Sequence, residues 1–243
     1  MSPRICRIAV LCVLLAGLFT GCSVKDSQWF EDYYDTLKRY RTVELSNGET
    51  TYDFAALREI NADIYSWLEI PGTGVDYPVL QNPENDEMYL SVVCDGSLYA
   101  GGSIFSQASY NGTDFEDPVT VLYGNTMQDD TMFGSLQMMY SGEEHSAVSE
   151  ICIYLPDAVY RYTVFTAVQY SDTHILFTYD FSDKYWYTNF FRQIKKIRNI
   201  GAWYDDEFAP EYGDRVLILS TSMKDGSAGR YLVMATLQDE RAS

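Results

Sequence analysis

Ile64-Tyr65-Ser66-Trp67-Leu68-Glu69-Ile70-Pro71-Gly72-Thr73-Gly74-Val75-Asp76-Tyr77-Pro78-Val79 sets the texture of the chain around it. Its aromatic and aliphatic run at 67–70 is stopped by Pro71 and Gly72, residues that punctuate strands. The same texture returns at 119–123, 150–155, 160–170, 216–221 and 231–237. Within 160–170 the residues Tyr160, Tyr162, Val164, Thr166 and Val168 alternate, which predicts one shared strand face. Short strands at this spacing, with few helices between them, predict a mostly antiparallel sandwich or barrel.

Helical spacing appears at the edges of this pattern. Trp29, Tyr33, Leu37 and Tyr40 recur at four, four and three, predicting a helix over 27–41 with those side chains on its inner face. The polar stretch 43–51 carries the turn signal Asn47-Gly48. A second short helix is expected over 52–60, with Phe54, Leu57 and Ile60 on one side. Further on, Trp186, Phe190, Ile194 and Ile197 predict a helix inserted between late strands. Ser182 or Asp183 stands at its start and basic Lys195, Lys196 and Arg198 at its end, an order that suits the helix dipole. No internal repeat and no low-complexity linker is present. The expected organisation is an address over 1–21, a helical appendage over 22–59 and a β domain over 60–243.

Composition removes several function classes. Of 243 residues, 47% are hydrophobic, too many for a mainly disordered protein, and 17 Lys and Arg stand against 35 Asp and Glu. A formal charge of −18 with no dense basic run argues against binding nucleic acid. Five Cys and two His at these spacings match no zinc pattern. No metal or cofactor is expected. The acidic runs at 84–87, 114–117, 129–130 and 205–207 lack EF-hand spacing and read as solvated loops.

At the start, Arg4 and Arg7 precede the twelve uncharged residues 8–19, which end in Leu18-Phe19 and lead into Thr20-Gly21-Cys22. A basic start, a short apolar core and small residues before a cut site describe a secretory signal. Phe19-Thr20-Gly21-Cys22 resembles the bacterial lipobox, which implies lipidation of Cys22 and an extracytoplasmic, membrane-tethered protein. The alternative is an uncleaved anchor, for which the core is short against the ~20 apolar residues of a membrane span. Cys94 and Cys152 then remain as two isolated cysteines, read as small buried hydrophobes, with a disulfide between them allowed but not required.

Several phrases in order resemble the class B sortases. Residues 64–79 are similar to the family's opening strand pair, Asn85-Asp86-Glu87-Met88-Tyr89-Leu90 to its "NDYYL" step, and Gly102-Ser103-Ile104-Phe105 to its "GSIF" strand. Val121-Leu122-Tyr123-Gly124-Asn125-Thr126-Met127 followed by Met132-Phe133-Gly134-Ser135-Leu136 resembles "YGHNM…MFGDL". Leu219-Ser220-Thr221-Ser222 through Arg230-Tyr231-Leu232-Val233 resembles "LSTC…RFVV". The resemblance runs from about residue 60 to 237. It implies a closed eight-stranded β-barrel with N-terminal helices and one helix between late strands. It also implies cysteine transpeptidase chemistry, in which a Cys thiolate attacks the Thr–X bond of a sorting motif. A His protonates the leaving amine, an Arg steadies the oxyanion, and an amine on a cell-wall precursor or pilin resolves the thioacyl enzyme. Here the Arg position is Arg230, the Cys position is Ser222 and the His position is Asn125. By the same resemblance Thr221 faces the peptide groove.

These replacements bear on the chemistry directly. A thiol ionises near pH 8.5, whereas a Ser hydroxyl depends on a general base, and an amide neither accepts nor donates a proton for that purpose. General acid–base help alone is worth ~10²–10⁴-fold. Two other bases deserve consideration. Lys224 lies two residues past Ser222 but precedes a Gly/Ser-rich loop and reads as solvated; His174 follows the 160–170 strand and borders the groove. His145 follows Glu143-Glu144 in a polar loop and reads as solvated. The expected protein is an inactive sortase-like lipoprotein of a Gram-positive-type envelope, binding a sorting-signal-like peptide or assisting an active sortase or pilin. The alternatives are a transpeptidase or hydrolase using Ser222 with a base foreign to the family, and a structural envelope protein with a vestigial groove.

Overall fold

The computed structural model describes residues 27–139 and 150–242. The expected signal segment over 1–21, Cys22 and His145 lie outside the described residues. In chain order the elements are α1 (Ser27–Lys38), β1 (Val43–Glu44), β2 (Thr50–Thr51), α2 (Phe54–Ile60), β3 (Ile64–Glu69), β4 (Asp76–Leu80) and a 3₁₀ turn at Met88–Leu90. There follow β5 (Ile104–Phe105), β6 (Val119–Tyr123), α3 (Leu136–Met139), β7 (Glu150–Tyr154), β8 (Ala158–Tyr170), α4 (Ile175–Thr178), α5 (Lys184–Ile194), β9 (Trp203–Tyr204), β10 (Val216–Ser222) and β11 (Arg230–Ala242).

The strands pair in the order β11-β10-β6-β5-β4-β3-β7-β8, and β8 pairs back onto β11, closing an eight-stranded barrel. Short β9 adds to β8 outside the ring. The β6–β10 and β4–β5 pairs are parallel and the remaining pairs are antiparallel. The closed barrel expected from the sequence is therefore present. Closure leaves the ring without the unpaired edge that an open sheet presents.

Two apolar clusters follow from strand alternation. Leu217 and Leu219 join one that spans the ring and includes Phe30, Tyr34 and Leu37 of α1 and Phe54 and Leu57 of α2. Val216 and Ile218 join a second, where α4 and α5 cover the sheet. The N-terminal segment is knitted tightly to the strands: Tyr52 stacks on Trp67 at 4.1 Å, and the Trp67 indole donates to Asp76 at 2.6 Å.

Four expected faces shift. On α1 the buried side chains are Phe30, Tyr34 and Leu37, with Trp29 and Tyr33 only half-buried, and the helix stops at Lys38, short of Tyr40. On α5 the buried set is Tyr187, Phe190, Phe191 and Ile194, Trp186 is 41% exposed, and Ile197 lies past the helix end. Asp183 is its N-cap, accepting from the Tyr185 and Trp186 amides, as the sequence suggested. Arg198 closes the other end by donating to the Lys195 and Ile197 carbonyls. On β8 the strict alternation breaks. Val164 pairs with Ala235 but Thr166 with Met234, so Phe165 is an extra residue, a β-bulge. Tyr160, Tyr162 and Val164 consequently join the first cluster while Val168 joins the second. Ile60, expected on the inner face of α2, is 37% exposed.

Cys94 and Cys152 are buried free thiols, each pushed up to about 12, mainly by burial. Asn111, in a glycosylation-like Asn-Gly-Thr triplet, is a buried structural residue that donates to Val119 O and accepts from the Val121 amide.

Candidate functional site

The parallel strands β6 and β10 end side by side, and the residues singled out in the sequence lie at those ends. Ser220 pairs with Tyr123 on β6, and Ser222 stands directly opposite Arg230 on β11. Facing positions of an antiparallel pair send their side chains to one side of the sheet, so the Ser222 hydroxyl and the Arg230 guanidinium share a surface. Arg230 is in turn opposite Tyr170 at the end of β8. Ser222, Arg230 and Tyr170 thus form one row across three strands. Such a row requires β8 to close on β11.

A pocket of about 60 Å³ opens beside this row, walled by Tyr123, Tyr170, His174, Ser220 and Arg230. The Arg230 side chain is 46% exposed, and its nearest carboxylate, Asp172, stands 3.9 Å away in a loose, solvent-screened pair. Most of the guanidinium's donors therefore remain open to a ligand carbonyl. The Tyr123 phenol is pushed up to about 12 by burial, with the Arg230 charge pulling the other way.

Asn125 follows β6 after Gly124. Its side-chain amide donates to three backbone carbonyls, Leu90 at 2.8 Å, Ala100 at 3.1 Å and Gly101 at 3.2 Å. The amide acts as a clamp on the chain that enters β5. Thr221 does not line the groove as expected: it is 1% exposed, and its hydroxyl donates to Gly124 O at 2.7 Å. Thr126, which no sequence signal singled out, lies with its Oγ1 2.6 Å from Thr221 Oγ1 and 2.7 Å from Ser222 O. Thr126 and Thr221 therefore rivet the ends of β6 and β10 together and set the position of Ser222.

Neither alternative base reaches the Ser222 hydroxyl in a usable form. His174 caps α4, its Nδ1 accepting from the Phe177 amide at 3.1 Å, while its Nε2 lies 2.9 Å from Gln107 Oε1. Both ring nitrogens are therefore engaged with neighbours other than Ser222. Lys224 is not the freely solvated residue the sequence suggested. It is ion-paired to Asp130 and donates to Gly134 O at 3.3 Å, which holds the ammonium away from the role of a base. Among the described residues the Ser222 Oγ has no hydrogen-bond partner, and Ser222 itself is exposed. No group of His, Cys, Asp and Glu among the described residues is arranged to hold a metal ion.

No family model matches the sequence. Sortase B of Listeria monocytogenes is 27% identical over 236 residues, covering 92% of this chain and 91% of the relative. Among solved structures, sortase B from Bacillus anthracis superimposes with a TM-score of 0.73 at 27% identity, covering 88% of this chain and 97% of that one. A substrate complex of Staphylococcus aureus sortase B shares the fold at a TM-score of 0.69 and 23% identity, covering 87% of this chain and 94% of that one.

The chain is similar to class B sortases in sequence and in fold. That similarity runs along nearly its whole described length. The row of Ser222, Arg230 and Tyr170 lies within the shared barrel.

Proposed function

We propose that this class B sortase-like protein is a catalytically inactive member that holds an extended, sorting-signal-like peptide, or presents one to an active sortase or pilin. The observation that carries the reading is the state of Asn125. Its amide is committed to three carbonyls and it stands where the family resemblance expects the proton-transferring His. A Ser in place of the thiol needs a base more than the Cys did, and the two nearest alternatives, His174 and Lys224, are both engaged elsewhere. Arg230, by contrast, keeps its donors facing outward beside a small pocket, which suits recognition of a peptide carbonyl.

The test compares the natural full chain with the double change Asn125→His, Ser222→Cys, for cleavage, amine transfer and binding on a panel of sorting-motif peptides. Expected is saturable binding without turnover by the natural protein, and turnover by the double variant. Turnover by the natural chain that disappears in Ser222→Ala would instead establish a serine transpeptidase or hydrolase.

The same reading places the protein at the outer face of the cytoplasmic membrane, tethered through a lipid on Cys22. The residues from Arg4 to Cys22 support it by their basic start, short apolar core and Thr-Gly-Cys ending. Growth with an alkyne-tagged fatty acid is expected to label the natural protein and leave Cys22→Ala unlabelled. Label on both, or on neither, rules the tether out.

A further inference from the structure

Between the 3₁₀ turn and β5 the chain doubles back on itself as a short hairpin. Val93 N donates to Ser97 O at 2.8 Å, Tyr99 N donates to Ser91 O at 3.0 Å, and Val92 pairs antiparallel with Leu98. Opposed residues of such a pair send their side chains to one side, so Val92 and Leu98 share a face. Leu98, next to the turn, is 77% exposed there, and Leu90, at the base of the hairpin, is 43% exposed. At that base Asn125 grips the Leu90 and Ala100 carbonyls, which makes the hairpin a fixed projection. Tyr99 points the other way and stacks on Phe30 of α1 at 4.9 Å. An exposed leucine on a fixed hairpin, beside the first turn of α1, is an apolar ridge without a partner among the described residues.

The chain that precedes α1 says what covers this ridge. On the tether reading above, on which this inference rests, Cys22 carries the lipid, and the five steps from Cys22 to Ser27 span at most about 17 Å when fully extended. A domain of this length is roughly 40 Å across. A tether so short against a domain so wide holds the start of α1 toward the membrane. Phe30 lies three residues past Ser27, about 4.5 Å of helix rise, and stacks on the hairpin, so Leu98 belongs to the tethered side. Other exposed apolar residues do not. Phe177 and the 97% exposed Ile200 belong to α4 and to the turn after α5, helices that cover β8, β10 and β11. In the ring order those strands lie across from β4, where Tyr34 and Lys38 of α1 meet Tyr77 and Asp76. Charge limits the depth of any contact. Glu31 and Asp32 of α1 and Asp95 at the hairpin turn oppose an anionic surface. One leucine, with parts of Leu90 and Trp29, is too little to bring an untethered protein of formal charge −18 to a bilayer. The lipid makes the contact intramolecular, and weak insertion then suffices. The half-buried Trp29 has the amphipathic ring that suits the headgroup region.

We propose that this hairpin, with Leu98 beside its turn and Leu90 at its base, is a lipid-contacting ridge that inserts shallowly into the bilayer to which the protein is tethered and so fixes how the barrel sits on it. Asn125 clamps the base of the ridge and the adjoining Thr126 is bonded to Ser222 O, so the same contact holds the Ser222 row near the membrane surface.

The experiment attaches a small environment-sensitive fluorophore at Leu98→Cys, or at Ile200→Cys as the reference, in the full chain purified with its lipid and reconstituted into phosphatidylcholine vesicles. Cys94 and Cys152 are buried and leave the introduced thiol as the one to label. Expected is iodide quenching several-fold weaker at position 98 than at position 200, together with quenching at 98 by a lipid that carries a nitroxide near its headgroup. Adding phosphatidylglycerol should narrow the difference, because the flanking carboxylates are repelled. Leu98→Asp should restore iodide access several-fold to a fluorophore at Leu90→Cys, whereas Leu98→Ile should not; both side chains are exposed, and unchanged melting temperatures show that the variants fold. Mass spectrometry of the same preparation reads the lipid on Cys22. A lipidated chain as open to iodide at 98 as at 200 overturns the ridge and leaves the tether standing. A chain without lipid overturns the tether and the ridge with it. Protection at 98 in the absence of vesicles gives the ridge to a second copy of the chain, and protection that needs a sorting-motif peptide gives it to the peptide; either result overturns the proposal.

Discussion

Gly124 shows how little room the site's residues have. A Cβ there would fall 2.5 Å from Ile104 Cδ1 and 2.7 Å from Phe133 Cδ2, contacts that real Cβ atoms do not make. The chain runs straight from this glycine into Asn125 and Thr126, so whatever displaces Gly124 displaces the clamp and the rivet as well. Gly124→Ala is expected to cost about 1–3 kcal/mol, the usual range for overpacking a filled core. A lowered urea midpoint with an unchanged m-value is the measurement that checks it. The sequence displayed Ser222, Asn125 and Arg230 by position within familiar phrases. It did not display Thr126, because a threonine in a polar stretch gives no sign of which strand end it ties. Nor did it show Thr221 turned inward, since a strand's two faces are told apart only by what packs on each.

The elements carry a second ambiguity, which comes from neighbouring aromatics. Trp29-Phe30, Tyr33-Tyr34, Trp186-Tyr187 and Phe190-Phe191 each put two large rings on adjacent helical positions. Adjacent positions differ by about 100° around the axis, so the i, i+4 spacing draws two overlapping stripes of equal strength. The sheet beneath decides between them, choosing Phe30 and Tyr34 on α1 and Tyr187 with Phe190 on α5. Helix starts were easier to read, because a cap is a local hydrogen bond. Asp183 accepts from Tyr185 at 2.8 Å and from Trp186 at 3.1 Å. Asp183→Ala is expected to destabilise the protein by about 0.5–2 kcal/mol, and Asp183→Asn by much less. Denaturant unfolding of the two variants side by side tests the cap rather than the charge.

At the scale of the molecule, the abundance of buried phenols sets how the fold responds to alkali. Burial raises the phenols of Tyr34, Tyr65, Tyr187 and Tyr231 above their ordinary value of 10.0, and Tyr204 is pushed up to about 12. A group whose folded value is raised holds its proton in the native state after the unfolded chain has lost it. Stability from these groups is therefore complete below pH 10.0 and falls as pH climbs toward the folded values; the two buried thiols begin to add to the loss above their ordinary 9.0. Urea midpoints should be level through neutral pH and decline steadily from about pH 9 upward. A flat profile to pH 11 would mean that these side chains are wetter than the fold places them. Barrel closure works at the same scale. The long pairing of β8 with β11 sets Tyr170 opposite Arg230, while β10 sets Ser222 on Arg230's other side, joining segments far apart in sequence.

The sequence by itself determined the β-rich class, the capped start of α5, the acidic surface and the two substitutions at the reactive positions, because each of these is written in local spacing or in single residue types. The tertiary structure decided which helical stripe is buried, where Phe165 breaks the alternation of β8, and that His174 and Lys224 are occupied elsewhere. Those outcomes depend on contacts between residues tens of positions apart, and side-chain packing, hydrogen-bond satisfaction and charge pairing are settled only when such residues meet.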